Sequence, residues 1–204
     1  MISSYNTSFT KRFIDITVST VCFLASLPLA VFISCAIKIS SRGPTFFLQK
    51  RVGKGGAVFH ILKFRTMFPN ANNIQKKIRY LNEADGPVFK IQNDPRFTKI
   101  GKILSGTGLD ELPQFINVLK GEMSMVGPRP LPVGEAKKLT KKQKVRELVK
   151  PGITSSWVVE GSHKIPFKKW MELDANYVKN ATFTTDIYII GKTFLMILRS
   201  ILKL

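Results

Sequence analysis

The sequence predicts a mainly helical α/β chain that enters a membrane near its N-terminus, and three observations lead there. No charged residue occurs between Ile16 and Ile37, and Pro28 interrupts that apolar run. Further on, short extended segments give way to apolar residues at helical spacing. The chain has 204 residues with 32 Lys or Arg against 13 Asp or Glu, a net charge of +19, and is 44% hydrophobic. That is too apolar for a disordered basic tail, and the charge calls for a polyanionic neighbour, either nucleic acid or an anionic membrane surface.

The apolar run comes first. About 20 such residues suffice to cross a bilayer as a helix. A cleaved signal peptide would end at small residues, whereas this run passes directly into Lys38 and Arg42. Lys11 and Arg12 precede it and Lys38, Arg42, Lys50 and Arg51 follow it, so positive charge at both ends favours both ends on the cytoplasmic side. Pro28 removes a backbone donor near the middle, and Ser26 stands ready to bond a freed carbonyl, so a re-entrant helix-break-helix is expected over a plain spanning helix. Asp15 at the entrance pairs with Lys11 or Arg12 in this reading. The membrane segment with its flanks covers residues 1–42, and a separate body covers 43–204. Both cysteines, Cys22 and Cys35, lie inside the run, which excludes a disulfide framework or a four-ligand zinc site.

PTFFLQKRVG and AVFHILKFRTM read as extended segments joined by the turn-forming GKGG, whose glycines lack the spacing of a phosphate loop. Residues 69–86 read as a polar helix or mobile loop, and VFKIQNDPRFT as a short strand ending in a turn at Asp94 and Pro95. In LDELPQFINVLKGE, Leu112, Phe115, Ile116 and Leu119 recur at helical spacing, with Gly121 as the stop and Pro113 in the first turn. Asp110 and Glu111 fall at the helix start. There they serve as an ordinary cap and first-turn acid, or as carboxylates kept ionised beside N–H groups that can receive a phosphate. Lys137–Lys150 is a basic stretch of the kind that forms a solvated helix face. DIYIIGKTFLMILRSILKL intersperses Lys192, Arg199 and Lys203 among apolar residues, fitting either a core helix or one lying in the membrane interface.

KRFID at 11–15, KFRTM at 63–67, NDPRFTKIGK at 93–102, LDELPQFINVLKGEMSMVGPRP at 109–130, KPGITSSW at 150–157 and WMELDANYVKN at 170–180 together resemble the bacterial sugar transferase family, the small monotopic phosphoglycosyl transferases. The likeness runs in order over essentially the whole chain. It implies a re-entrant membrane helix, interfacial amphipathic helices and a compact cytoplasmic α/β catalytic domain at the inner-membrane face. It also implies transfer of a sugar 1-phosphate from a UDP-sugar to polyprenyl (undecaprenyl) phosphate, with release of UMP, as the first membrane step of glycan assembly.

Carried over residue by residue, the resemblance makes Asp110 the nucleophile that forms a covalent phosphosugar intermediate. Glu111 holds Mg²⁺ or orients the acceptor, with Asp110 and Glu111 together as the metal-binding pair. Lys63, Arg65, Arg96, Arg129, Asp174 and Tyr177 become phosphate- or substrate-binding residues, and Ser26 and Pro28 the membrane-break residues. The partners implied are the UDP-sugar, polyprenyl phosphate, anionic lipids and downstream glycosyltransferases, without nucleic acid. Three positions depart from the family pattern: Ser105 where an Arg is common, Val158 in place of Gln, and Ser162 in place of Arg. They support a second reading, a catalytically degenerate homologue that binds or scaffolds.

Overall fold

The computed structural model describes residues 1–202, so Lys203, one of the cations expected along the C-terminal segment, lies outside the described residues. The protein is mostly helical with two small sheets. A 3₁₀ turn at Ser4–Thr7 leads into α1, Phe9–Ser40, where the Ser8 hydroxyl caps the first turn by accepting from the Lys11 amide. At 1.5 Å per residue this helix is roughly 48 Å long. It is long and apolar enough to cross a membrane, and little of its apolar stretch is buried.

The break expected at Pro28 is not there: α1 runs through the proline as one helix. A proline removes a single donor, here the one that would reach Leu24, while contacts on both sides of it hold the axis. Val18, Cys22 and Phe23 pack against one core cluster, and Ala30, Ile33 and Ile37 belong to another. Ser26 does bond a carbonyl next to the proline gap, donating to Phe23 O at 2.9 Å. Asp15 is buried in protein, 3.6 Å from the Lys11 ammonium, and accepts from the Ser124 hydroxyl and the Met125 amide.

β1, Phe46–Val52, and β2, Val58–Phe64, form the expected antiparallel hairpin, in register from Phe46 opposite Phe64 to Val52 opposite Val58. The GKGG turn holds a 3₁₀ turn at Lys54–Gly56. α2, Ala71–Lys77, and a 3₁₀ turn at Arg79–Leu81 occupy the polar stretch. The strand expected at VFKIQ is absent. That segment is folded on itself by local bonds instead: Asn82 bonds the carbonyls of Ala84 and Val88 and the Lys90 amide, and the Glu83 amide donates to Lys90 O. An extended row without a second strand cannot satisfy its backbone, and no strand lies beside this one among the described residues.

α3, Lys99–Thr107, is capped by Thr98 and ends at Gly108, whose φ of +77° reverses the chain as only glycine does readily. Gly101 presses α3 against the loop after β2, since a Cβ there would stand 1.8 Å from Thr66 O. The LDELPQ segment is a 3₁₀ turn, Leu109–Gln114, and only then does α4, Phe115–Leu119, begin. Counted from Gly108, Pro113 is the fifth residue, past the first turn. An α-helix would need its missing N–H and would drive its ring into Leu109 O, so the tighter turn wins.

β3, Ser124–Val126, pairs in parallel with β4, Gly152–Thr154. Between them lie α5, Val133–Ala136, and a 3₁₀ turn at Gln143–Leu148. The basic stretch is therefore mostly turn rather than a helix face, and Arg146 within it is buried. α6, Ser156–Glu160, α7, Phe167–Asn180, and α8, Phe183–Ile201, complete the chain. The main core joins Phe59, Ile61, Phe115, Val118 and Met123 to Tyr177 and Ile189 from the C-terminal helices.

Candidate active site

The hairpin puts Phe47, Gln49 and Arg51 of β1 on the same face as Phe59, Ile61 and Lys63 of β2, because residues two apart share a face and the register pairs Phe47 with Lys63. The inner half of this face enters the core through Phe59 and Ile61. Gln49, Arg51 and Lys63 instead line a cavity of about 420 Å³, together with Asp110, Ser105, Arg96 and Glu135. Asn117 of α4 locks β2 in place: its amide oxygen accepts from the Leu62 amide and its nitrogen donates to His60 O.

Successive residues of a 3₁₀ turn point about 120° apart, and Asp110 and Glu111 have different surroundings. The Lys63 ammonium is 2.7 Å from Glu111 Oε1 and 3.4 Å from Asp110 Oδ2. Arg129 grips Glu111 with both terminal nitrogens, at 2.6 and 3.4 Å. Its guanidinium lies 5.9 Å from the Trp157 ring, which stacks on Trp170 at 4.2 Å. Burial works to raise the pKa of Glu111, but Arg129 and Lys63 together outweigh it and hold the group well below the usual carboxylate range. For Asp110 the balance reverses. Burial dominates and raises its pKa, Lys63 opposes, and the neighbouring Glu111 charge adds to the rise. One carboxylate is thus a fixed anion between two cations, and the other a more weakly compensated anion at the cavity wall.

A family model described as bacterial sugar transferase matches residues 6–200. Galactosyl transferase CpsE of Streptococcus agalactiae serotype III (strain NEM316) is 42% identical over 195 residues, 95% of this chain and 43% of its own. The UDP-glucose:undecaprenyl-phosphate glucose-1-phosphate transferase of Escherichia coli (strain K12) is 38% identical over 191 residues, 90% of this chain and 39% of its own. Exopolysaccharide production protein ExoY of Rhizobium meliloti (strain 1021) is 34% identical over 187 residues, 90% of this chain and 83% of its own. The chain belongs to the bacterial sugar transferase family. It spans less than half the length of the first two of these relatives and most of the third.

In this bacterial sugar transferase the residues singled out from the motifs fall into two groups. Asp110, Glu111, Lys63 and Arg129 come together, and Arg65 and Arg96 join the cavity wall. Arg65 is buried and holds the end of α1, donating to the carbonyls of Ser41 and Arg42 and to the Ser41 hydroxyl. Arg96 makes a two-pronged ion pair with Asp94 and lies 5.1 Å from the Phe89 ring. Asp174 and Tyr177 are not among the cavity-lining residues. Asp174 pairs with buried Arg146, whose guanidinium also donates to Arg129 O. Tyr177 donates to Asp186, which also accepts from Lys11 of α1.

Of the departures from the family pattern, Ser105 lies on the cavity wall, Val158 packs in a core cluster, and Ser162 has φ +55°. Sequence reasoning passed over Arg51 and Glu135. The signal for Arg51 was present in FLQKRV, where Gln49 and Arg51 alternate onto the face that also carries Lys63. Arg51 donates to Pro130 O, its Nε has no partner, and burial with the nearby Arg129 charge lowers its pKa to about 10. It is a cation short of negative charge.

Proposed function

We propose that this chain transfers a sugar 1-phosphate from a UDP-sugar to a polyprenyl phosphate at the cytoplasmic face of the inner membrane, releasing UMP. The observation that carries the reading is the division of labour in the carboxylate pair: Glu111 is fixed between Lys63 and Arg129, while Asp110 faces the cavity. The names of relatives, such as the glucose-1-phosphate transferase above, supply the substrate classes.

In the first step an Asp110 carboxylate oxygen attacks the phosphorus bearing the sugar, and the bond from that phosphorus to the bridging oxygen breaks. UMP departs with the electron pair, leaving an acyl phosphate on Asp110. In the second step an oxygen of polyprenyl phosphate attacks the same phosphorus, and the carboxylate leaves as it entered. Lys63, Arg129 and Arg51 supply positive charge around the diphosphate, and Glu111 keeps Lys63 and Arg129 in place.

Asp110, whose ion-pair contact is the longer one to Lys63 at 3.4 Å, would hold Mg²⁺ with Glu111 in the manner usual for that cation, one or two carboxylates completed by substrate phosphates. No group of three or more metal-binding side chains gathers among the described residues. When bound, Mg²⁺ offsets diphosphate charge.

Membrane entry and exit on one side is supported by the packing of α1. Lys11, Ile14, Asp15 and Ser19 near one end, and Ile33 and Ile37 near the other, are all buried against the same body. Phe9, Phe13, Val21, Leu24, Val31 and Phe32 remain exposed on it, as do Phe194, Leu195 and Leu198 on α8.

The deciding experiment supplies the donor without acceptor. A stoichiometric phosphosugar adduct on the peptide containing Asp110, with an equivalent of UMP released, is expected by intact mass and peptide mapping. Asp110→Asn removes both adduct and turnover, and an unaltered rate in that variant overturns the mechanism. Ser105, which leaves the cavity wall without the common Arg, favours the second reading of a non-catalytic homologue. Donor binding without turnover of any UDP-sugar by the unmodified chain decides for it.

A further inference from the structure

A second cavity, of about 290 Å³, lies where α1 meets the body, and it shares no lining residue with the cavity of Asp110. Its walls bring together four cations from three separate segments: Lys11 and Arg12 of α1, Lys54 of the hairpin turn, and Lys150 before β4. One carboxylate, Asp15, faces them, and it already accepts from the Ser124 hydroxyl and the Met125 amide. Lys11 is taken up by Asp186 and Val126 O. Arg12 is held in position by the carbonyls of Val118 and Leu119.

Lys54 and Lys150 have neither an ion pair nor a side-chain hydrogen bond among the described residues. Lys150 is nevertheless half-buried, and its ammonium shares the space beside Gly121 with the Arg12 guanidinium, since a Cβ there would stand 3.6 Å from both. Burial first, then the charge of Arg12, lower the pKa of Lys150, Asp15 opposes, and Lys54 and Lys11 add to the fall. Four converging cations against the single carboxylate of Asp15 are stabilised by an anion from outside the protein.

The surroundings say which kind of anion. Phe9 and Phe13, on the same first turns of α1 as Lys11 and Arg12, stack with centroids 6.4 Å apart and are 83% and 59% exposed. A ligand that satisfied both features would carry a phosphate on an apolar tail. We propose that this cavity binds the phosphate of an anionic phospholipid headgroup, with the acyl chains leaving along Phe9 and Phe13. This site rests on the membrane reading of α1 and is independent of the transfer chemistry.

The test uses the full chain in neutral detergent, with native mass spectrometry during titration by phosphatidylglycerol, phosphatidylcholine, undecaprenyl phosphate or inorganic phosphate. One phosphatidylglycerol is expected to be retained per chain. Reversing two charges in Lys54→Glu/Lys150→Glu is expected to weaken that retention by at least about tenfold. The charge-matched control Lys168→Glu/Lys169→Glu, both exposed on α7, leaves it unchanged. Weaker retention of phosphatidylcholine supports selection by charge.

Equal phosphatidylglycerol retention by the unmodified chain and the double variant overturns the site, as does an equal loss in the control. Displacement of phosphatidylglycerol by inorganic phosphate overturns the lipid assignment in favour of a free anion, and displacement by undecaprenyl phosphate overturns it in favour of the acceptor. Failure of the membrane reading shows itself differently, as a chain that stays monodisperse without detergent. Turnover of the double variant at the unmodified rate keeps this site separate from the reaction.

Discussion

The two adjacent carboxylates differ in what burial does to them, and that difference is open to titration. Asp110 has its pKa raised by burial more than Lys63 lowers it, so in the folded protein it takes up a proton at higher pH than an ordinary aspartate. Formation of the proposed covalent adduct needs the anion. It is therefore expected to fail as pH falls through that raised value, while Glu111, held low by Arg129 and Lys63, remains charged. The same sign applies to stability: a raised folded-state pKa means a contribution that is lost as pH rises through it. At neutral pH Asp110→Asn should therefore unfold at the same or a higher temperature than the unmodified protein, even as it abolishes adduct formation. A loss of several degrees in a thermal melt would assign Asp110 a structural role instead. Arg51 is the second residue with a measurable consequence. A charge-assisted bond is worth about 1.5–3 kcal/mol, so Arg51→Gln should reduce kcat/KM for the UDP-sugar by roughly 10–100-fold. Arg51→Lys should recover part of it, and an unchanged kcat/KM in the Gln variant would exclude Arg51 from the donor site.

Elements whose shape depends on near neighbours were legible in the sequence, and those set by distant partners were not. The hairpin around GKGG is written in local spacing, whereas the helix expected to start at Asp110 begins only at Phe115, after a 3₁₀ turn. The fate of Asp174 and Tyr177 depends on Arg146, Lys11 and Asp186, which reach them from other elements. Residues 88–93 carried an extended pattern, but only the fold could reveal that no strand lies beside them among the described residues. Asp174 ties α7 to the Gln143–Leu148 turn, and burial pushes its pKa up to about 6 despite Arg146. Asp174→Ala leaves Arg146 buried without its partner and should cost about 3–5 kcal/mol in chemical denaturation. If Asp174 instead touched substrate, the variant would lose turnover at unchanged stability. For α1, cysteines at the exposed positions Thr7 and Arg42, with Cys22 and Cys35 replaced, should both resist an impermeant reagent outside intact cells. Labelling of one alone would favour a spanning helix.

On the scale of the whole molecule, the charge, apolar run and carboxylate pair reinforce one another: an exposed apolar surface on α1 and α8 belongs to a chain whose cavity is lined with cations and the carboxylates of Asp110 and Glu135. The sequence divides naturally at residue 42, but the packing interleaves the two parts. Ile33 and Ile37 of α1 form a core cluster with Phe64 and Leu104, and Ile14 is buried as well. Lys11 enters the body to bond Asp186 and Val126 O, and Arg12 bonds the carbonyls that end α4. Each buried isoleucine is worth roughly 1.5–3 kcal/mol, and stranding Asp186 without Lys11 adds the cost of an unpaired buried charge. Together these rival the roughly 5–15 kcal/mol that holds a domain folded. A fragment of residues 43–204 is therefore expected to lack a cooperative unfolding transition and dispersed amide resonances, in detergent as well as without it, whereas a chain beginning at Ser8 retains both. A cooperative transition in the 43–204 fragment, at a denaturant midpoint close to that of the full chain, would mean that α1 is an appended anchor and contributes little to the core.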